Sequence, residues 1–238
     1  MDDFYGEDLA SVHAEAFEAL AASAADSLLE ALGPDGAGRR VLDLGCGAGP
    51  LGRRLRAHGF ATWGLDLSPA LIALARERMP DAEFHCGSIL EAPLPAPAAA
   101  VAAIGEVLNY ATADRPDGLA RVFQRVFDAL APGGLFLFDL AAPGRAGAGR
   151  GFSEGDTWAV GVVATEADNL LLRRITTFRD AGEGAWTRSS EEHRLRLWPP
   201  AEVTQRLTAC GFQVQALPGY GAMPMPPSLH AYLATRPA

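Results

Sequence analysis

The stretch from Val41 to Gly52, VLDLGCGAGPLG, sets three apolar residues and one acid ahead of glycines at alternate positions 45, 47 and 49. A strand that runs into such a turn brings its main chain close to a ligand, because three glycines cost backbone entropy that only a close approach justifies. The ligand of such a turn is usually a nucleotide. Which nucleotide depends on one acid and one displaced glycine. A dinucleotide fingerprint, G-x-G-x-x-G, needs its third glycine where this chain has Pro50, and Gly49 comes one position early. Asp43 stands two residues before the first glycine, where it repels a pyrophosphate and attracts a ligand carrying an ammonium and a sulfonium. Asp66 ends the second strand 23 residues further on. A carboxylate there reaches both hydroxyls of an adenosine ribose through a bidentate, charge-assisted pair of hydrogen bonds.

The surrounding pattern alternates strand and helix. Phe17, Leu20, Ala24, Leu28 and Leu32 recur at helical spacing, which predicts an amphipathic helix over about 8–32 that stops at Gly33-Pro34. Strands follow at Arg40 to Leu44, ATWGLDL, AEFHCGS, AAAVAAIGE and LFLFDL. Between them lie a helix from about Gly49 to His58, a helix capped by Ser68 with Pro69 in its first position, and a helix marked by Leu119, Val122, Phe123, Val126, Phe127 and Leu130. Strands so continuously apolar are covered on both faces, and the alternation implies parallel pairing.

After Asp139 the pattern changes. Gly144 to Gly151, GRAGAGRG, has no apolar periodicity and reads as a flexible hinge. Three β-rich runs come next, TWAVGVVAT, LLLRRITTF and SEEHRLRLW, with turn signals at Asp168-Asn169 and from Asp180 to Gly184. The expectation is an antiparallel lid over the carboxyl edge of the main sheet. A helix, PAEVTQRLTACGF, and two strands paired antiparallel through PGYGAMPMPP complete the chain.

Composition excludes several partners. The chain has 20 basic residues, none of them lysine, against 29 acidic ones, and a net charge of −9 repels phosphate backbones and anionic membranes. Cys46, Cys86 and Cys210 are odd in number and scattered, which argues against disulfides and against a zinc site and points to a reducing cytoplasm. The start, MDDFYGEDL, is acidic where a signal peptide is basic, and no apolar run approaches the roughly 20 residues of a membrane span.

The successive motifs VLDLGCGAG, GLDLSPALIALARER, AEFHCGSI, AIGEVLNY and ALAPGGLFLFDL resemble, in order and separation, those of class I S-adenosylmethionine-dependent methyltransferases. The similarity covers about residues 38–140, and extends more loosely to the C-terminus in a bacterial small-molecule subgroup with a helical N-terminal cap and a β insertion after the fifth strand. The resemblance implies a single α/β domain built on a doubly wound, mostly parallel seven-stranded Rossmann-like sheet with an antiparallel last strand. Its parts are the cap at 1–34, the cofactor-binding core at 35–143, the hinge and β-rich lid at 144–198, and the C-terminal helix and hairpin at 199–238. The cofactor is S-adenosyl-L-methionine. Gly45, Cys46, Gly47 and Gly49 then wrap its methionine part, Asp43 neutralises the amino group, Asp66 grips the ribose, and Leu67 lies against the adenine. Gly87, Ser88 and Ile89 match the end of strand three, where many relatives carry an acid and this chain has Ser88. Glu106, Asn109 and Tyr110 follow strand four and face the methyl group.

The expected activity is methyl transfer to a nitrogen or oxygen of a small-molecule acceptor in an enclosed pocket, without metal, nucleic acid or membrane, by a monomer or homodimer in the cytoplasm. Aminopropyl transfer, nicotinamide-dependent reduction and a non-catalytic scaffold are the alternatives on the same fold. For the acceptor side the residues themselves nominate His193. In SEEHRLRLW side chains alternate, so Glu191, His193, Leu195 and Leu197 share one face of a strand in the lid. An imidazole on that face looks toward the enclosed cavity with a pKa suited to taking a proton, and Glu106 and Tyr110 complete the catalytic candidates. His13, His58, His85 and His230 show no convergent partners in the sequence.

Overall fold

The computed structural model describes residues 5–16 and 18–238. The helix expected over 8–32 falls on two elements, α1 (Glu7–Ala16) and α2 (Glu18–Leu32), and Phe17, which marks one turn of that periodicity, lies outside the described residues. The alternating core follows as β1 (Arg40–Leu44), α3 (Pro50–Arg56), β2 (Ala61–Asp66), α4 (Pro69–Arg78), β3 (Glu83–Cys86), β4 (Ala98–Ala103), α5 (Val107–Ala111), α6 (Gly118–Ala129) and β5 (Leu130–Ala141). The insertion comprises β6 (Arg150–Glu154), β7 (Trp158–Ala167), β8 (Leu170–Gly182) and β9 (Ala185–Arg196). The chain then closes with α7 (Pro200–Ala209), β10 (Gln213–Leu217), a ribbon of β11 (Gly219–Tyr220) and β12 (Met223–Pro224), and β13 (Leu229–Thr235).

Seven strands form the main sheet in the order β10-β13-β5-β4-β1-β2-β3, and only β13 runs against its neighbours. Alternation along the strands sends side chains into two cores. Val41, Ala100, Ala102, Leu135 and Leu137 meet Leu28 of α2 and Leu51 and Leu55 of α3 on one face. Leu42, Val101, Phe136 and Phe138 meet Val122, Phe123 and Val126 of α6 and Val203 and Leu207 of α7 on the other. A sheet covered on both faces can place ligands only at its edges. Here β1 lies between β2 and β4, so the connections diverge on either side of it and leave a crevice at its carboxyl end.

The insertion is a four-stranded antiparallel sheet, one strand more than the sequence reading finds. Arg150 and Gly151, assigned there to the flexible hinge, belong to β6 and pair with Val163 and Val162 of β7. Two-residue turns join the later strands. Asp168 and Asn169 hold φ of 51° and 59°, and Glu183 and Gly184 hold 53° and 78°, the left-handed pairs that match the twist of a tight hairpin. Leu171, Leu195 and Leu197 seat the base of the insertion on Ala141 and Leu229, at the carboxyl end of β5.

Candidate active site

The glycine turn after β1 is held by main-chain bonds. Gly45 and Cys46 donate to the Leu65 carbonyl at 2.7 and 3.1 Å, and the Gly47 amide donates to Asp66 Oδ2 at 2.9 Å. Gly45 has φ of 72°, and a Cβ there would collide with Val107. At Gly47 the nearest atom to an added Cβ is His13 Cε1 at 4.0 Å, so the missing side chain leaves a hollow over the turn. Gly49 ends the turn as the residue before α3. Asp66 Oδ1 accepts from the Ser68 amide at 2.9 Å, and Ser68 Oγ caps α4 through the Leu71 amide at 3.2 Å. Each Asp66 oxygen thus has one protein donor and retains capacity for another.

A cleft of about 660 Å³ opens beside this turn, lined by Tyr5, Gly45, Asp66, Leu67, Gly87, Ser88, Ile89, Val107 and Tyr110. A second hollow of about 440 Å³, lined by His13, Asp43, Cys46 and Gly47, shares Gly45 with it. Asp43 is 5% exposed. Burial, and then the neighbouring Asp66 carboxylate, push its pKa up to about 7. A cation seated in the hollow would reverse both penalties. Burial, then His193 nearby, presses His13 down to about 4, so this imidazole presents no competing charge. The Cys46 thiol packs among Ile72, Ala75 and Phe84 and is pushed up by burial, so the residue serves the turn through its backbone. Ser88 Oγ accepts from the Leu90 amide at 3.2 Å, and the Gly87 amide donates to the Asp66 carbonyl at 2.9 Å.

Across the cleft, the loop after β4 is shaped by a residue that the sequence reading passed over. Asp139 is fully buried at the end of β5. Its carboxylate accepts from the Gly105 and Glu106 amides at 2.8 and 2.6 Å and from the Tyr220 hydroxyl at 3.0 Å. Burial still raises its pKa to about 6. An acid inside the apolar run LFLFDL is the signal that could have found it. Glu106, expected to meet the cofactor and take part in catalysis, is held at φ of 63°. Its carboxylate accepts from Arg173 at 2.5 and 3.1 Å and from Arg145 at 2.5 Å, outside the residues that line the cleft. Burial opposes its ionisation, but the two guanidiniums outweigh burial and hold the carboxyl below its usual range. Glu106 therefore ties the loop to the insertion. Asn109 does the same through Ala141 and the Arg196 carbonyl.

Tyr110 lines the cleft, and His193 lies behind it. The Tyr110 hydroxyl lies 3.3 Å from His193 Nδ1, and His193 Nε2 lies 2.9 Å from Glu191 Oε2. The imidazole is 1% exposed, on the inward face that strand alternation assigns to it. Tyr5 packs against His193, His13 and Tyr110 with ring centroids 5.0, 4.7 and 6.3 Å apart. His13, without visible partners in the sequence, joins this cluster through α1.

Known proteins resemble this chain over the strands that frame the crevice. Residues 41–134 match the family described as "Methyltransferase domain". Over those residues the chain is similar to methyltransferase domains. The chain is 32% identical over 113 residues to the malonyl-[acyl-carrier protein] O-methyltransferase of Serratia marcescens, a match spanning 48% of this chain and 42% of that enzyme's length. It is 28% identical over 191 residues, 75% of its length and 72% of the other's, to the dTDP-3-amino-3,6-dideoxy-α-D-glucopyranose N,N-dimethyltransferase of Streptomyces fradiae. Its fold matches the crystal structure of a sugar N-methyltransferase from a Streptoalloteichus species with a TM-score of 0.79 at 23% identity, covering 100% of this chain and 94% of that one. Among the described residues no cation pairs with the buried Asp43 carboxylate. That acid, the hollow over the side-chain-free turn and the acid at the end of β2 are of a kind to fit the ammonium, methionine chain and ribose of S-adenosylmethionine.

Proposed function

We propose that the protein methylates an amino or hydroxyl group of a small polar acceptor, enclosed between the cofactor crevice, the N-terminal helix and the β insertion. The Tyr110–His193–Glu191 array, which meets the cleft at Tyr110 and has the imidazole buried behind it, carries this reading. On the cofactor side, Asp43 pairs with the ammonium, Gly45, Cys46, Gly47 and Gly49 wrap the methionine chain, Asp66 takes the ribose hydroxyls, and Leu67, Gly87, Ser88 and Ile89 border the adenine.

When bound, S-adenosylmethionine supplies a methyl group already activated on a sulfonium. The protein's work is therefore to hold the acceptor in line, exclude water and receive one proton. Tyr110 stands at the cleft wall and gives its hydroxyl proton to His193 Nδ1 as it receives one from an acceptor ammonium or hydroxyl. Glu191 stabilises the imidazolium that results. Arg173, paired with Glu106, keeps the insertion closed over the reacting groups.

The relative acting on an amino sugar nucleotide, by its name, makes such sugars the first acceptors to test. Purified protein incubated with S-adenosylmethionine and a panel of dTDP-amino sugars and small hydroxy and carboxylic acids should release S-adenosylhomocysteine with at least one amino or hydroxyl compound. Release only with carboxylic acids would overturn the acceptor class. We place the enzyme in the cytoplasm as a monomer or homodimer without a nucleic-acid partner, on its net charge of −9 and its free cysteines. Among the described residues no helix is long and apolar enough to cross a membrane.

A further inference from the structure

Glu191 does more than face His193. Its Oε1 accepts from the Gly6 amide at 3.0 Å, and its Oε2 accepts from the Tyr5 amide at 2.9 Å while lying 2.9 Å from His193 Nε2. The Tyr5 carbonyl in turn accepts from Ser68 Oγ at 2.9 Å, and the Ser68 amide donates to Asp66. One chain of hydrogen bonds thus runs from the cofactor-side acid, through the backbone at Tyr5 and Gly6, to the imidazole and on to Tyr110. These bonds link parts of the sequence 186 residues apart.

We propose that Glu191 is a positioning residue that clamps the Tyr5–Gly6 backbone over the cleft and, with the same carboxylate, fixes His193 in the tautomer whose unprotonated Nδ1 faces Tyr110. An ionised carboxylate only accepts, so the imidazole nitrogen beside it must carry the proton and the other nitrogen must hold the lone pair. Closure and basicity are then one event. With the segment in place, the two amides orient the carboxylate toward Nε2. With the segment lifted, the carboxylate turns freely and His193 loses its fixed tautomer. This rests on His193 as the proton acceptor, but the two ideas fail separately.

The tautomer measurement needs no acceptor. Long-range ¹H–¹⁵N correlation spectra of histidine-labelled protein with S-adenosylhomocysteine bound distinguish the tautomers of the five histidines, and His193→Ala assigns the signal. The wild type should show His193 protonated at Nε2. Glu191→Gln, isosteric but able to donate to Nε2, should move the proton to Nδ1, and Glu191→Asp should restore part of the wild-type signal. Gly6→Pro, which removes one clamped amide and leaves the carboxylate, should lower hydrogen-exchange protection of residues 7–16 at least about tenfold and abolish the single-tautomer signature. A His193 proton on Nδ1 in the wild type, or a signal that ignores both variants, overturns the proposal. A tautomer that responds as stated, beside unaltered turnover in His193→Ala, supports the clamp and overturns only the role of His193 as base.

Discussion

The two halves of the proposed site, one for the cofactor and one for the acceptor, are built on opposite plans. The cofactor half is nearly contiguous: Asp43, the glycine turn, Asp66, Leu67 and residues 87–89 all follow the carboxyl ends of three adjacent parallel strands. Its geometry comes from main-chain bonds and two acids. The acceptor half is gathered from Tyr5, His13 in α1, Tyr110 in α5, Arg173 in β8 and Glu191 and His193 in β9. Its geometry comes from side chains that answer one another across the fold. A hydrogen-bond chain from Asp66 through Ser68 and Tyr5 to Glu191 bridges them.

The sharpest way to separate the halves is to remove the imidazole. His193→Ala should lower turnover by about two to four orders of magnitude, the usual span for a positioned acid or base, while affinity for S-adenosylhomocysteine stays put. Calorimetry and steady-state kinetics on one preparation settle it. A matching loss of cofactor affinity would mean that the two halves are not independent.

On the cofactor side, Asp66→Ala should weaken binding about a hundredfold, from a lost pair of charge-assisted hydrogen bonds to the ribose together costing on the order of 2–3 kcal/mol. The Gly47 and Ser68 amides also lose their acceptor, so the variant's melting temperature must be measured beside its affinity. Unchanged affinity in a folded variant would remove Asp66 from the ribose.

The same division decides what could be read from the chain alone. β1, the cap at Ser68, the alternation of sheet and helix and the positions of the acids at 43 and 66 are local features, written within a few residues of where they stand. The role of Glu106 is not local: nothing near position 106 announces that guanidiniums 39 and 67 residues away will claim its carboxylate. α5 spans only five residues, too short for periodicity to register. β6, RGFSE, is exposed throughout and offers no apolar alternation, so its pairing is set by β7 rather than by its own residues. The inward face of His193 was legible because strand alternation is itself a local rule.

Asp43 allows a finer comparison, because its charge belongs to the ligand-bound state more than to the empty one. Its pKa near 7 means that binding a cationic ligand must first hold the carboxylate ionised. Affinity for S-adenosylhomocysteine should therefore rise by up to about tenfold per pH unit approaching pH 7 and level off above it. Asp43→Asn should be weak and flat over the same range. A flat profile in the wild type would detach Asp43 from the ammonium.

The smallest effect expected is on stability without ligand, and its sign is opposite to that of function. Asp43 and Asp139 have folded-state pKa values of about 7 and 6, above the usual carboxylate value of 3.8. Between roughly pH 4 and 7 the folded chain holds protons that the unfolded chain has released, so stability from these groups is full below pH 4 and is lost as pH rises through 6 and 7. Glu106, held low by its arginines, acts the other way, but only at pH values below the ordinary glutamate range. The ligand-free melting temperature should thus fall from pH 5 to pH 7.5, and S-adenosylhomocysteine should reduce the fall by giving Asp43 its counter-charge. Asp43→Asn should melt higher than the wild type at pH 8, by about 2–4 °C for each kcal/mol of relief in a chain of this size, while losing the cofactor. A variant that melts lower at pH 8 would show that the buried carboxylate is already satisfied within the protein, and that the cofactor half is not held in readiness for a cation.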